Sequence, residues 1–134
     1  MLYLDSSALL KLVVIEDETQ ALSQYLDSQP GIPVVTSALA RVEVARAARR
    51  SGEEHSAAVA RVLSSVDQIP LSQSLLDDAG RVEPPVLRSL DSIHLVSAQR
   101  IAADLFAFIA YDARLLAAAA DAGLPTATPG VPHL

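Results

Sequence analysis

Leu2-Tyr3-Leu4-Asp5-Ser6-Ser7-Ala8-Leu9-Leu10-Lys11 opens the chain with three apolar residues, a carboxylate and two hydroxyls. Such side chains favour a short buried strand over residues 2–4, and an apolar helix is expected to follow over residues 8–15. Ser6 or Ser7 is the expected cap of that helix, because a hydroxyl there can accept from its first free amides. Asp5 then stands at the carboxyl end of a strand and beside a helix N-terminus, where open α/β sheets place their ligands. An acid at such a junction rarely serves packing.

The same grammar returns near the far end. Residues 104–111, rich in Leu, Phe, Ile and Tyr, read as the strongest strand of the chain and stop at Asp112. An alanine-rich helix over 113–122 follows, with Gly123 as its C-terminal residue. Between these two junctions, the acids Glu16, Asp17 and Glu18 read as the solvated start of a second helix, whose stripe is Leu22, Tyr25 and Leu26. Gln29-Pro30-Gly31 ends it.

A strand over 32–36, with Thr36 and Ser37 as candidate caps, leads into a helix over 38–50 that carries Glu43. Arg46 and Arg50 fall on the same side of that helix as Glu43, so an exposed ion pair is the plain reading of Glu43 by itself. A helix over 53–65, a strand over 67–71 and a helix over 72–82 come next, before Pro84-Pro85 forces a loop. Ser89 is the expected cap of the helix that contains Asp91, with Ile93, Leu95 and Val96 turned inward. A short strand over 124–127 closes the alternation, and the prolines beyond it keep the tail extended.

Five strands alternating with helices, without an internal repeat or a shift in composition, call for one α/β domain over residues 1–134. Its central parallel sheet should be covered on both faces by helices. With 51% hydrophobic and 19% charged residues the chain has ample apolar material for a core. The absence of cysteine excludes disulfides, thiolate metal sites and thiol nucleophiles, and suits a reducing compartment. No apolar run is long enough for a membrane span and no basic leader precedes Asp5, so a cytoplasmic protein is expected. The net charge of −6 argues against a broad basic face for nucleic acid. It leaves room for acids whose charge a bound cation inverts.

In a parallel sheet all strands point one way, so Asp5 and Asp112 share an edge, and helices beginning there bring Asp91 and Glu43 into reach. Four carboxylates in one place raise one another's pKa unless arginines or a cation neutralise them. Oxygen ligands of this kind suit Mg²⁺ or Mn²⁺, ions that bind phosphates and activate water.

Leu4-Asp5-Ser6-Ser7, Glu43 after Ser37-Ala38-Leu39, Asp91-Ser92-Ile93-His94-Leu95, and Ala103-Asp104-Leu105 leading to Tyr111-Asp112 together resemble a PIN domain. Within that family the chain is most similar to VapC-type toxins of prokaryotic toxin-antitoxin pairs. The resemblance covers nearly the whole chain and implies a three-layer PIN-like fold with a sheet of about five strands. It also implies a Mg²⁺- or Mn²⁺-dependent endoribonuclease, dimeric and held inactive by a small antitoxin. Asp5, Glu43, Asp91 and Asp112 match the family's acidic quartet as catalytic residues and metal ligands, and Ser7 matches a small polar position near the metal. Ala110 departs from the pattern, because a hydroxyl residue often stands two positions before the last acid.

His94 lies at i+3 from Asp91 and reads as a buried structural histidine, with a hydrogen bond to that carboxylate as the functional alternative. His55 and His133 have no metal-ligand company. Arg46, Arg50 and Arg88 are candidates for RNA phosphates, against the plainer reading of solvated or acid-paired side chains. A HAD-like phosphatase also begins with a strand ending in Asp, but it needs a second Asp where this chain has Ser7. A module that only binds RNA or a partner, its acids neutralised by arginine, is the non-enzymatic alternative.

Overall fold

The computed structural model describes residues 1–132, so His133 lies outside the described residues. Its core element is β1 (Leu2–Leu4), which pairs on one side with β2 (Val34–Ser37) and on the other with β4 (Ala107–Ile109), both parallel. β3 (Asp67–Ile69) and β5 (Thr126–Ala127) form the edges, giving the order β3-β2-β1-β4-β5, parallel throughout. Tyr3 faces Phe108 in register, and Leu2 and Leu4 face Ala107 and Ile109.

Two-residue periodicity in β1 divides the core into two layers. Leu2 and Leu4 pack with Leu9, Leu22, Val44 and Val62 on one face, from α1 (Ser6–Leu10), α2 (Thr19–Asp27), α3 (Ala40–Arg50) and α4 (Ser56–Ser64). Tyr3 packs on the other face with Phe108, Leu95 and Leu115. That layer comes from α6 (Ser89–Gln99) and α7 (Ala113–Asp121), with α5 (Gln73–Ala79) closing over Val96. The expected three-layer α/β architecture is therefore present. Among the described residues no helix is long and apolar enough to cross a membrane.

Several boundaries differ from expectation for tertiary reasons. α1 ends at Leu10 instead of residue 15, because Lys11 turns inward and its carbonyl accepts from Thr19 Oγ1. The Lys11 ammonium, 8% exposed, is met by Glu18 at 2.8 Å and Glu16 at 3.5 Å, and lies 4.5 Å from the centre of the Tyr111 ring. Two of the three acids before α2 thus serve a buried cation. The strand expected over 104–111 shrinks to Ala107–Ile109, since a 3-10 turn takes Ala102–Asp104 and the Asp104 carbonyl accepts from the N-terminal amine. β3 stops at Ile69, before Pro70, which has no amide for the ladder. α3 begins two residues late because the Ala38 amide bonds Ile69 in the sheet.

Candidate active site

Asp5 and Asp112 are the same device used twice. Neither Ser6 nor Ser7 caps α1; Asp5 does, its extended backbone letting Oδ1 accept from the Ala8 amide at 3.0 Å. Asp112 caps α7, with Oδ1 accepting from the Arg114 and Leu115 amides at 2.9 and 3.0 Å. β1 and β4 are sheet neighbours, so both caps open at one edge. Ser7 ties the two junctions together: its Oγ donates to Asp5 Oδ1 at 2.7 Å and accepts from the Tyr111 amide at 3.1 Å.

The two remaining acids come from first turns of helices. Glu43 lies in the first turn of α3, and Asp91 in the first turn of α6. Arg88 precedes α6 at the position expected of a cap, but its side chain makes no cap; Ser89 is the first helical residue. Instead the Arg88 guanidinium bridges two acids, with Nε 3.0 Å from Asp91 Oδ2 and a terminal nitrogen 3.1 Å from Asp112 Oδ2. These carboxylates, together with Glu43, raise the Arg88 pKa further.

Glu43 is not paired with Arg46 or Arg50, which are exposed among the described side chains. Its Oε1 accepts from Ser6 Oγ at 2.6 Å and from His94 Nε2 at 2.7 Å. Burial acts to raise the Glu43 pKa, but these two hydrogen bonds outweigh it and hold the carboxyl below its usual range. Asp5, 4% exposed, shifts the other way: burial pushes its carboxyl up despite the bonds from Ser7 and Ala8, and the charge of Glu43 adds to the rise. The four acids are thus not scattered. Asp5 and Asp112 end neighbouring strands, Arg88 bridges Asp112 to Asp91, and Glu43 accepts from Ser6, the residue after Asp5.

His94 is buried at 1% exposure, as expected of a structural histidine, but its partner is Glu43 and not Asp91. On an α-helix i+3 puts the ring beside Asp91, yet burial of the ring turns it toward α1 and α3. Sequence reasoning singled out neither Tyr3 nor Ser6 as a polar partner in this site; the hydroxyls at those positions were the available signal. Ala110 is fully buried in the Tyr3 and Phe108 layer and offers the site no hydrogen bond. Among the described residues, no three His, Asp or Glu side chains form a ready-made cation cage. Arg88 supplies positive charge between two of the acids as a stand-in.

A five-stranded parallel sheet with acids set along its carboxyl edge defines an α/β protein with a charged candidate site. The family model described as PIN domain matches residues 2–127, and the chain belongs to that family. It is 41% identical over 133 residues to "Ribonuclease VapC47" of Mycobacterium tuberculosis, covering 97% of this chain and 98% of that protein. It is 44% identical over 128 residues to "Ribonuclease VapC46" of the same species, covering 96% and 97%. In three dimensions it resembles the crystal structure of Mycobacterium tuberculosis VapC20, described as a sarcin-ricin loop cleaving toxin. That match has a TM-score of 0.73 and 15% identity, covering 96% of this chain and all of the other, and bears on the fold alone.

Proposed function

We propose that this chain is a metal-dependent endoribonuclease of the VapC toxin type, hydrolysing RNA phosphodiester bonds at Asp5, Glu43, Asp91 and Asp112. The observation that carries the reading is that the adjacent strands β1 and β4 end in Asp5 and Asp112, with Arg88 bridging Asp112 to Asp91 and Ser6, the residue after Asp5, holding Glu43. Identity above 40% to proteins named ribonucleases supports it.

The donors fit a hard divalent cation, Mg²⁺ or Mn²⁺: carboxylate oxygens, with a guanidinium already standing in for positive charge at Asp91 and Asp112. Asp5 and Asp91 are the principal ligands, and Glu43 and Asp112 complete the set directly or through water. Such an ion, when bound, neutralises phosphate charge and lowers the pKa of water. Ser7 fixes the Asp5 carboxylate against the β4 junction. Arg88 keeps Asp91 and Asp112 from repelling each other and can follow an approaching phosphate, being exposed. A cognate antitoxin, a homodimer and a cytoplasmic location belong to the same reading.

The test uses purified protein free of antitoxin. RNA cleavage should vanish with EDTA, return with Mg²⁺ or Mn²⁺, and fall to background in Asp5→Ala and Asp91→Ala. Cleavage that survives both substitutions unchanged overturns the assignment. The Arg88 bridge favours a second reading, a binding module whose acids are neutralised internally. Titration calorimetry separates the two, since only the nuclease reading expects carboxylate-dependent Mn²⁺ binding.

A further inference from the structure

Tyr3, His94 and Glu43 form a buried chain of hydrogen bonds that runs from the sheet to the site. The Tyr3 hydroxyl lies 2.7 Å from His94 Nδ1, and His94 Nε2 lies 2.7 Å from Glu43 Oε1. Tyr3 is fully buried, in parallel stacking on Phe108 with ring centroids 5.2 Å apart, so its hydroxyl has a fixed address. Its ring meets His94 edge-on, centroids 5.9 Å apart. The imidazole is therefore held from behind by a residue that the core does not let move.

Hydrogen-bond chemistry sets the direction at the other end. Glu43 is an ionised carboxylate that only accepts, so Nε2 carries its proton and donates in either charge state of the ring. Ser6 Oγ donates to the same Oε1 at 2.6 Å and lies 3.1 Å from Nε2. Oε1 is thus saturated by two protein donors, while among the described residues no donor meets Oε2.

We infer that His94 is a positioning residue, fixed by Tyr3, that pins one oxygen of Glu43 and leaves only Oε2 to serve the acidic site. This rests on the proposed function, because it treats Glu43 as part of a cation-binding set. Groups that orient metal-binding carboxylates in this way are worth roughly 10–100-fold in metal affinity when removed. The geometry also distinguishes His94 from core filler, for which a leucine of similar size would serve as well.

The experiment measures Mn²⁺ affinity by titration calorimetry, with cleavage kinetics beside it, in wild type, His94→Leu, His94→Gln and Tyr3→Phe. A glutamine amide can replace the Nε2 donor, so His94→Gln should keep affinity near wild type. His94→Leu should lose roughly tenfold or more, and its kcat should fall more than its KM rises. Tyr3→Phe removes one oxygen from the back of the chain and should weaken Mn²⁺ binding by a smaller factor. Equal affinities for wild type and a folded His94→Leu, or a His94→Gln as weak as His94→Leu, overturn the positioning role. Should His94→Leu fail to fold, Tyr3→Phe decides: unchanged affinity overturns the role. Absence of Mn²⁺ binding in wild type overturns the nuclease reading itself, a result separable from failure of His94 alone.

Discussion

Asp5 concentrates the conflict between stability and chemistry in one side chain. It is buried and its carboxyl is pushed up by burial, so ionising it costs folding free energy. Asp5→Asn keeps an oxygen to accept from Ser7 and Ala8 but removes the charge. The expected outcome is a melting temperature higher by a few degrees together with loss of RNA cleavage, read by thermal unfolding and a nuclease assay. Arg88 poses the opposite case, because its guanidinium competes with any cation for Asp91 and Asp112. Arg88→Gln should bind Mn²⁺ more tightly than wild type in calorimetry. Glu18, held below the usual carboxyl range by Lys11, stabilises the fold only while ionised. That contribution is present above the unfolded carboxyl value of about 4.3 and is lost as pH falls through the lower folded value. Glu18→Gln should therefore melt earlier than wild type at pH 7, and the gap should close in acid.

Helices and strands were legible where local chemistry decides them. The alternation of Leu2, Tyr3 and Leu4, the stripe of Leu22, Tyr25 and Leu26, and the glycine after α7 all lie in the expected elements. Gly123 adopts φ +85, a left-handed conformation that an L side chain pays for. Gly123→Ala should cost about 1 kcal/mol in denaturant unfolding, with cleavage unchanged. Ends of elements were less legible, and each miss has a tertiary cause. α1 stops where Lys11 leaves to find Glu18, and the 3-10 turn before β4 exists because the N-terminus reaches the Asp104 carbonyl. Ser6 or Ser7 was expected to cap α1, but serine and aspartate both cap, and only the extended backbone of Asp5 settles that it does.

At the scale of the molecule, β1 is the hinge of the whole arrangement. Its two faces feed two separate apolar layers, and its end carries Asp5. Phe108 sits beside it in register and stacks on Tyr3, so Phe108→Ala should destabilise by about 3–5 kcal/mol and disturb the site from behind. The measurement is a shift in the urea midpoint at constant slope. A parallel sheet with two covered faces was readable from the order of strands and helices. Its strand order was not, because strands of two to four residues carry too little pattern to name their neighbours.

What the amino-acid sequence determined by itself is the chemistry and the local grammar: four acids at element boundaries, no thiols, strands of period two and helices with apolar stripes. Those follow from side-chain type and from dihedral preferences within a few residues. Only the tertiary structure decided which acids face which partners. Glu43 meets His94 and Ser6 instead of Arg46 and Arg50, Arg88 bridges Asp91 and Asp112, and Lys11 turns inward to two glutamates. The physical reason is that a charge chooses its partner by distance and burial, and residues 3, 43 and 94 come within reach only after β1, α3 and α6 have packed.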